Sequence, residues 1–155
     1  MCGSQPVANR DAYLQLLGNV EDCVAIDLDL RPPCEVMCTK LETPGAPDDL
    51  RTFMRAIYFD ARGREPREVG RLVIYDGPLD AIGRRMLADS STDVSVDRST
   101  SPPTLELRSG SCLFDCNGSP NWAVDPAKPS DAACRASCKP TARYRYDGAQ
   151  LQLVR

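Results

Sequence analysis

The chain has no histidine in its 155 residues, which removes the Ser-His-Asp and Cys-His catalytic sets and every histidine metal site. It also lacks a long apolar run. The longest are a few residues, such as Leu72-Val73-Ile74-Tyr75, far from the roughly 20 that span a bilayer as a helix. There is no cationic excess: 19 basic against 22 acidic residues give a net charge of −3 and a pI near 5.0. A nucleic-acid partner is therefore not expected. No glycine-rich phosphate loop or dinucleotide fingerprint occurs, and no Cys-x-x-Cys redox motif. Neither a cofactor nor a metal is expected. Met1 runs directly into Cys2-Gly3-Ser4-Gln5-Pro6 with no leader. Either the chain stays in the cytosol or an export signal has been replaced by a start methionine.

What the chain does have is cysteine. Eight are present, a density that belongs to an oxidising compartment and favours the exported reading. Six form Cys-x-x-x-Cys pairs, Cys34/Cys38, Cys112/Cys116 and Cys134/Cys138, while Cys2 and Cys23 stand apart. Disulfides are expected at Cys23, Cys34, Cys38, Cys112, Cys116, Cys134 and Cys138. Cys2 is either the eighth half-cystine or a lipidation site. If 112–116 is extended, its two α-carbons lie about 13 Å apart at ~3.3 Å per residue, too far for a bridge. The 112/116 set would then join the 134/138 set, and Cys2, Cys23, Cys34 and Cys38 would form a second group. A turn at 112–116 reopens local pairing. In a reducing cell the four later cysteines offer a competing zinc site, with 17 residues between the pairs, as in a cytosolic interaction module.

The length suits one α+β domain at 9–155, after a flexible segment at 1–8. Mainly antiparallel sheet with two or three short helices, stapled by disulfides, is the expected architecture. Asn9 to Leu17 reads as a helix, capped by Asn9 or Asp11 and stopped by Gly18, with Tyr13, Leu14 and Leu17 on one face. From Cys23 to Leu30 residues alternate, Val24, Ile26, Leu28 and Leu30 on one side and Cys23, Ala25, Asp27 and Asp29 on the other, as in a half-buried strand. Arg31-Pro32-Pro33 ends it. Strands follow at Glu35–Leu41 and Phe53–Phe59, the latter paired with Val69–Tyr75 in a hairpin closed by Asp76-Gly77-Pro78. Leu79, Ile82 and Met86 mark a short helix. Between Asp89 and Pro103 at most a short strand at Val94–Val96 is expected. Thr104–Leu107 and Ser111–Phe114 look extended, and Ser130-Asp131 caps a helix carrying Cys134 and Cys138. A hairpin of Ala142–Tyr146 and Leu151–Val154 about Asp147-Gly148 ends the chain.

Little of this names a chemistry. Asp27 and Asp29 form the one carboxylate pair suited to wall-polymer hydrolysis, about 7 Å apart along a strand, but a solvated strand face explains them as well. Asp115-Cys116-Asn117-Gly118-Ser119 opens like a calcium loop and fails at Pro120. Arg143-Tyr144-Arg145-Tyr146, with Trp122 in its proline-flanked loop, supplies residue types favoured at binding hot spots. In the bland reading the tyrosines line the core and the arginines face water. The start Cys2-Gly3-Ser4-Gln5-Pro6-Val7 resembles the mature amino terminus of a bacterial lipoprotein. With the size and cysteine usage, it makes the chain similar to periplasmic immunity or inhibitor lipoproteins. That resemblance implies a non-enzymatic protein in the periplasm, anchored to the outer membrane through Cys2, or otherwise secreted. It would occlude the active site of a secreted toxin or lysozyme-like hydrolase, with Trp122, Arg143, Tyr144, Arg145 and Tyr146 as partner-binding residues.

Overall fold

Backbone hydrogen bonding organises the chain into two four-stranded antiparallel sheets, each a meander of sequential neighbours. The computed structural model describes residues 7, 9–43, 51–78, 84–117, 133 and 136–155. The first sheet comprises β1 (Asp22–Ile26), β2 (Glu35–Glu42), β3 (Arg51–Asp60) and β4 (Arg67–Pro78); the second comprises β5 (Thr92–Asp97), β6 (Thr104–Ser109), β7 (Ala142–Tyr146) and β8 (Leu151–Leu153). Helices α1 (Arg10–Leu17), α2 (Arg84–Asp89) and α3 (Gly110–Asn117) complete the α+β fold.

The core lies where the inward faces of the two sheets meet. Ala56, Tyr58, Val69, Leu72 and Ile74 from the first sheet pack with Val94, Leu105, Leu107 and Tyr146 from the second. Their period-two spacing on β3 and β6 is the sequence pattern that puts one side of each strand in the core. Two register slips between β3 and β4, at Met54/Arg55 and Tyr58/Phe59, are the β-bulges that let Val69 turn inward although it is three residues from Leu72. At one junction the sheets are joined by a bridge between Tyr75 and Ser91 and by the Asp76 N–H donating to the Ser90 carbonyl.

A second cluster lies on the far side of the first sheet. Tyr13 and Leu17 of α1 cover Val36, Cys38, Ile57 and Phe59, and the Tyr13 and Phe59 rings meet edge-on at 5.1 Å. Burying two such side chains contributes about 1.5–3 kcal/mol each, enough to hold an eight-residue helix that would not form alone. Leu14, expected on the same face, is 43% exposed. Gly18 ends α1 at φ 81°, its N–H donating to the Leu14 carbonyl. Asn9 is left-handed and its side chain does not cap the helix.

Several expectations change. The first strand stops at Ile26 rather than Leu30. The Asp27 carboxylate accepts the Leu30 N–H and the Asp29 carboxylate accepts the Arg31 N–H, folding the chain back on itself. Asp76-Gly77-Pro78 continues β4 opposite Arg51 and Thr52 instead of closing a hairpin. The polar stretch after Asp89 holds a full strand, β5, paired along its length with β6. Ser111–Phe114, expected to be extended, is helical within α3. Gly110 permits that turn, because its α-carbon sits against the Ala88 and Ser91 carbonyls where a side chain would collide. The turn at 44–47, Leu79 and Ile82, Trp122 and Ser130-Asp131 lie outside the described residues.

Two disulfides have both cysteines among the described residues. Cys23 and Cys38 face each other across β1 and β2 and are bonded. Cys112 of α3 is bonded to Cys138, joining the two carboxyl-terminal cysteine sets. Cys34 is also disulfide-bonded. Separations of 15 and 26 residues correspond to about 3–4 kcal/mol each in the chain-entropy account. No described helix is long and apolar enough to cross a membrane.

Candidate functional site

Among the described residues, α1 covers only one half of the sheet face on which it lies. Along β3, Arg51, Phe53 and Arg55 alternate with inward-facing residues and share a side with Ile57 and Phe59 beneath the helix. Lys40 marks the boundary, its ammonium donating to the Leu17 carbonyl at the end of α1 (2.5 Å). Beyond it the open half begins. Phe53 sits between Glu42 and Asp76, and Arg55 between Lys40 and Val73, in adjacent registers. The Arg51 guanidinium stacks 4.9 Å from the Phe53 ring centre and that of Arg55 lies at 6.0 Å, both within cation–π range. Each arginine is also aimed by a carboxylate: Arg51 makes a two-pronged contact with Asp76 at 2.6 and 2.7 Å, and Arg55 donates to Glu42 at 3.0 Å. Val73, 39% exposed, extends the apolar surface. The result is a partly buried aromatic ring held between two preorganised guanidinium groups, on the part of the sheet face that no described helix covers.

The arginine–tyrosine strand divides differently. Tyr146 is 3% exposed and belongs to the sheet–sheet core. Its hydroxyl donates to Asp60 at 2.5 Å, and Arg67 donates to the Asp60 carboxylate, Tyr146 and the Gly148 and Ala149 carbonyls. Tyr144 packs partly buried against the same core. A partner reaching β7 therefore meets Arg143 and Arg145, which face outward. Arg143 is paired with Glu106 at 2.9 Å, and Glu106 in turn with Arg108, which donates to the Cys138 carbonyl and Ser95. Trp122 lies outside the described residues.

Asp27 and Asp29 gather a third acid. Glu35, at the first position of β2, is 1% exposed, and its carboxyl oxygens lie within 4.8 Å of theirs. One Glu35 oxygen accepts the Leu28 N–H at 2.8 Å. Arg62 is paired with Asp29 and lies 3.7 Å from Glu35. Burial pushes the Glu35 carboxyl up to about 7, the Leu28 N–H opposes the rise, the Asp29 charge adds to it and Arg62 opposes it. Sequence reasoning found the two aspartates and missed Glu35, which follows a proline turn and a cysteine and reads simply as the start of a strand. It also missed the Arg51-Thr52-Phe53-Met54-Arg55 alternation, which was visible as a period-two pattern.

With Cys112 and Cys138 joined, the four-thiolate zinc arrangement loses two of its ligands. Compared with known proteins, the chain finds no counterpart: no family model, no curated protein and no solved structure matches it.

Proposed function

We propose that the protein is an extracytoplasmic binding protein of the inhibitor or immunity type, which occludes the active site of a secreted toxin or lysozyme-like hydrolase. The disulfides suit an extracytoplasmic or secreted setting; a periplasmic location and an outer-membrane anchor at Cys2 belong to the proposal. The observation that carries it is Phe53 clasped by Arg51 and Arg55 on an open sheet face. Aromatic and arginine side chains dominate binding hot spots because they bury large area with few rotatable bonds.

The test is a turbidity assay of cell-wall lysis by a panel of lysozymes and secreted wall hydrolases, with the oxidised protein added. Stoichiometric inhibition of at least one member is expected. Phe53→Asp should weaken it at least about 30-fold, as losing a hot spot of about 2 kcal/mol requires. If no hydrolase is inhibited and no toxin is neutralised in co-expression, the proposal fails.

A second reading, hydrolysis of wall polymer by the protein itself, draws on the raised Glu35 carboxyl beside Asp27 and Asp29. Glu35 is almost wholly buried, so a glycosidic oxygen has no direct approach to it. That reading requires reducing ends to be released from purified wall and the release to vanish in Asp29→Asn.

A further inference from the structure

We propose that Asp27, Asp29 and Glu35 form a site for a hard divalent cation, calcium being the ion whose size fits. Each residue offers a carboxylate oxygen within 4.8 Å of the other two. Calcium holds oxygen ligands at about 2.3–2.6 Å, so ligands on opposite sides of one ion stand about 4.6–5.2 Å apart. Magnesium, at about 2.0–2.1 Å, demands near-ideal octahedral geometry and dehydrates reluctantly, so it is bound less readily by an all-protein carboxylate cluster.

Acidic groups often lie together on protein surfaces without binding anything. The distinguishing atom here is Glu35 Oε1. It is buried, belongs to the carboxylate that gathers with the two aspartates, and has no hydrogen-bond partner among the described residues. A buried carboxylate oxygen left without a donor is costly, and a cation supplies what it lacks. The Arg62 guanidinium stands 3.7 Å from it, beyond hydrogen-bond range, and is engaged with Asp29. One guanidinium thus serves both Asp29 and Glu35.

The acids are also preorganised. Glu35 Oε2 accepts the Leu28 N–H, Asp27 Oδ1 the Leu30 N–H and Asp29 Oδ1 the Arg31 N–H. Each carboxylate is therefore fixed through one oxygen; the second oxygen of Asp29 holds Arg62, which the ion must displace. Arg62 has a side chain 35% exposed, so it can swing into water as the cation enters. Water fills the remaining coordination positions. This site is on the β1–β2 connection and does not include Arg51, Phe53 or Arg55, so its failure would leave the inhibitor proposal standing.

The experiment is calorimetric titration of calcium chloride into chelator-treated, disulfide-intact protein, with thermal melts alongside. One equivalent should bind with a dissociation constant of about 10⁻⁴–10⁻³ M, the range of extracellular modules, and raise the melting temperature. Glu35→Gln should lose at least about tenfold in affinity, and Arg62→Gln should gain severalfold because the competing cation is gone. If Glu35→Gln proves unfolded by circular dichroism, Asp27→Asn and Arg62→Gln decide instead. No saturable heat at about 10 mM calcium overturns the site. So does undiminished binding in Glu35→Gln or Asp27→Asn, or weaker binding in Arg62→Gln. Equal affinity for magnesium would overturn the assignment to calcium.

Discussion

Two tyrosines buried in one core should respond oppositely to loss of their hydroxyl groups. Tyr146 donates to the Asp60 carboxylate at 2.5 Å, whereas the Tyr58 hydroxyl is buried with no hydrogen-bond partner among the described residues. Both rings sit in the sheet–sheet cluster, so Tyr→Phe removes one oxygen and little packing. Tyr146→Phe removes a hydrogen bond to an ionised group, which costs about 1.5–3 kcal/mol. It leaves Asp60 with the Arg62 N–H at 2.9 Å and Arg67 at 3.3 Å. Tyr58→Phe removes an unsatisfied group and should be neutral or stabilising by up to about 1 kcal/mol. The acid dependence separates the two further. Burial alone would raise the Asp60 carboxyl, but Tyr146, the Arg62 N–H and the charges of Arg62 and Arg67 together hold it below the usual range. Its contribution is therefore present above the unfolded value of 3.8 and lost as pH falls through the lower folded value. The cost of Tyr146→Phe should shrink towards that of a neutral hydrogen bond as pH falls below 3.8 and Asp60 takes up its proton. Urea unfolding followed by far-ultraviolet circular dichroism, at neutral and acid pH, measures all four differences. A neutral-pH loss under about 0.5 kcal/mol for Tyr146→Phe, or a comparable loss for Tyr58→Phe, would refute the reasoning.

Further outcomes follow from other parts of the structure. Removing the Cys112–Cys138 bridge by paired serine substitution should cost about 3–4 kcal/mol for its 26-residue separation, read as a lower denaturation midpoint. Gly110→Ala should destabilise by about 2 kcal/mol or more, because the new carbon would lie 2.8 Å from the Ser91 carbonyl, a fixed backbone atom. Gly148→Ala should also destabilise, by about 1 kcal/mol, through its φ of 93° alone, since nothing lies near the added carbon. Glu35, pushed up from 4.5 to about 7, is more readily protonated folded than unfolded. Its contribution is full below 4.5 and lost as pH rises to about 7. In chelator, Glu35→Gln should flatten that fall in stability, and an unchanged pH profile between pH 5 and 8 would contradict the assignment.

The parts of the fold legible in sequence were those with a local cause. The run of β-formers from Phe53 to Phe59, with Val69–Tyr75 as its partner, marked β3, and the Asp147-Gly148 turn marked the final hairpin, because strand propensity and turn chemistry are properties of neighbouring residues. The cross-set disulfide was expected from an extended 112–116 and is found as Cys112–Cys138, although that segment is helical. In a helix Cys112 and Cys116 rise only about 6 Å, so geometry no longer forbids their pairing; packing of Leu113 and Cys112 with Cys138 selects the partner instead. The end of β1 was misplaced because Asp27 and Asp29 offer the backbone their own carboxylates, a competition that an alternating pattern does not reveal.

Composition and spacing alone determined the use of disulfides, the antiparallel class and the lack of histidine chemistry, since these depend on which residues are present and on their nearest neighbours. Only the tertiary structure decided what gathers across sequence. It brought Glu35 to Asp27, Asp29 and Arg62, placed Tyr146 against Asp60 from the opposite sheet, and left Phe53 and its two arginines on the half of the sheet that α1 does not cover. Such placements depend on how the two sheets and the helix share their apolar faces, which is set by burial of the whole chain and not by any one segment.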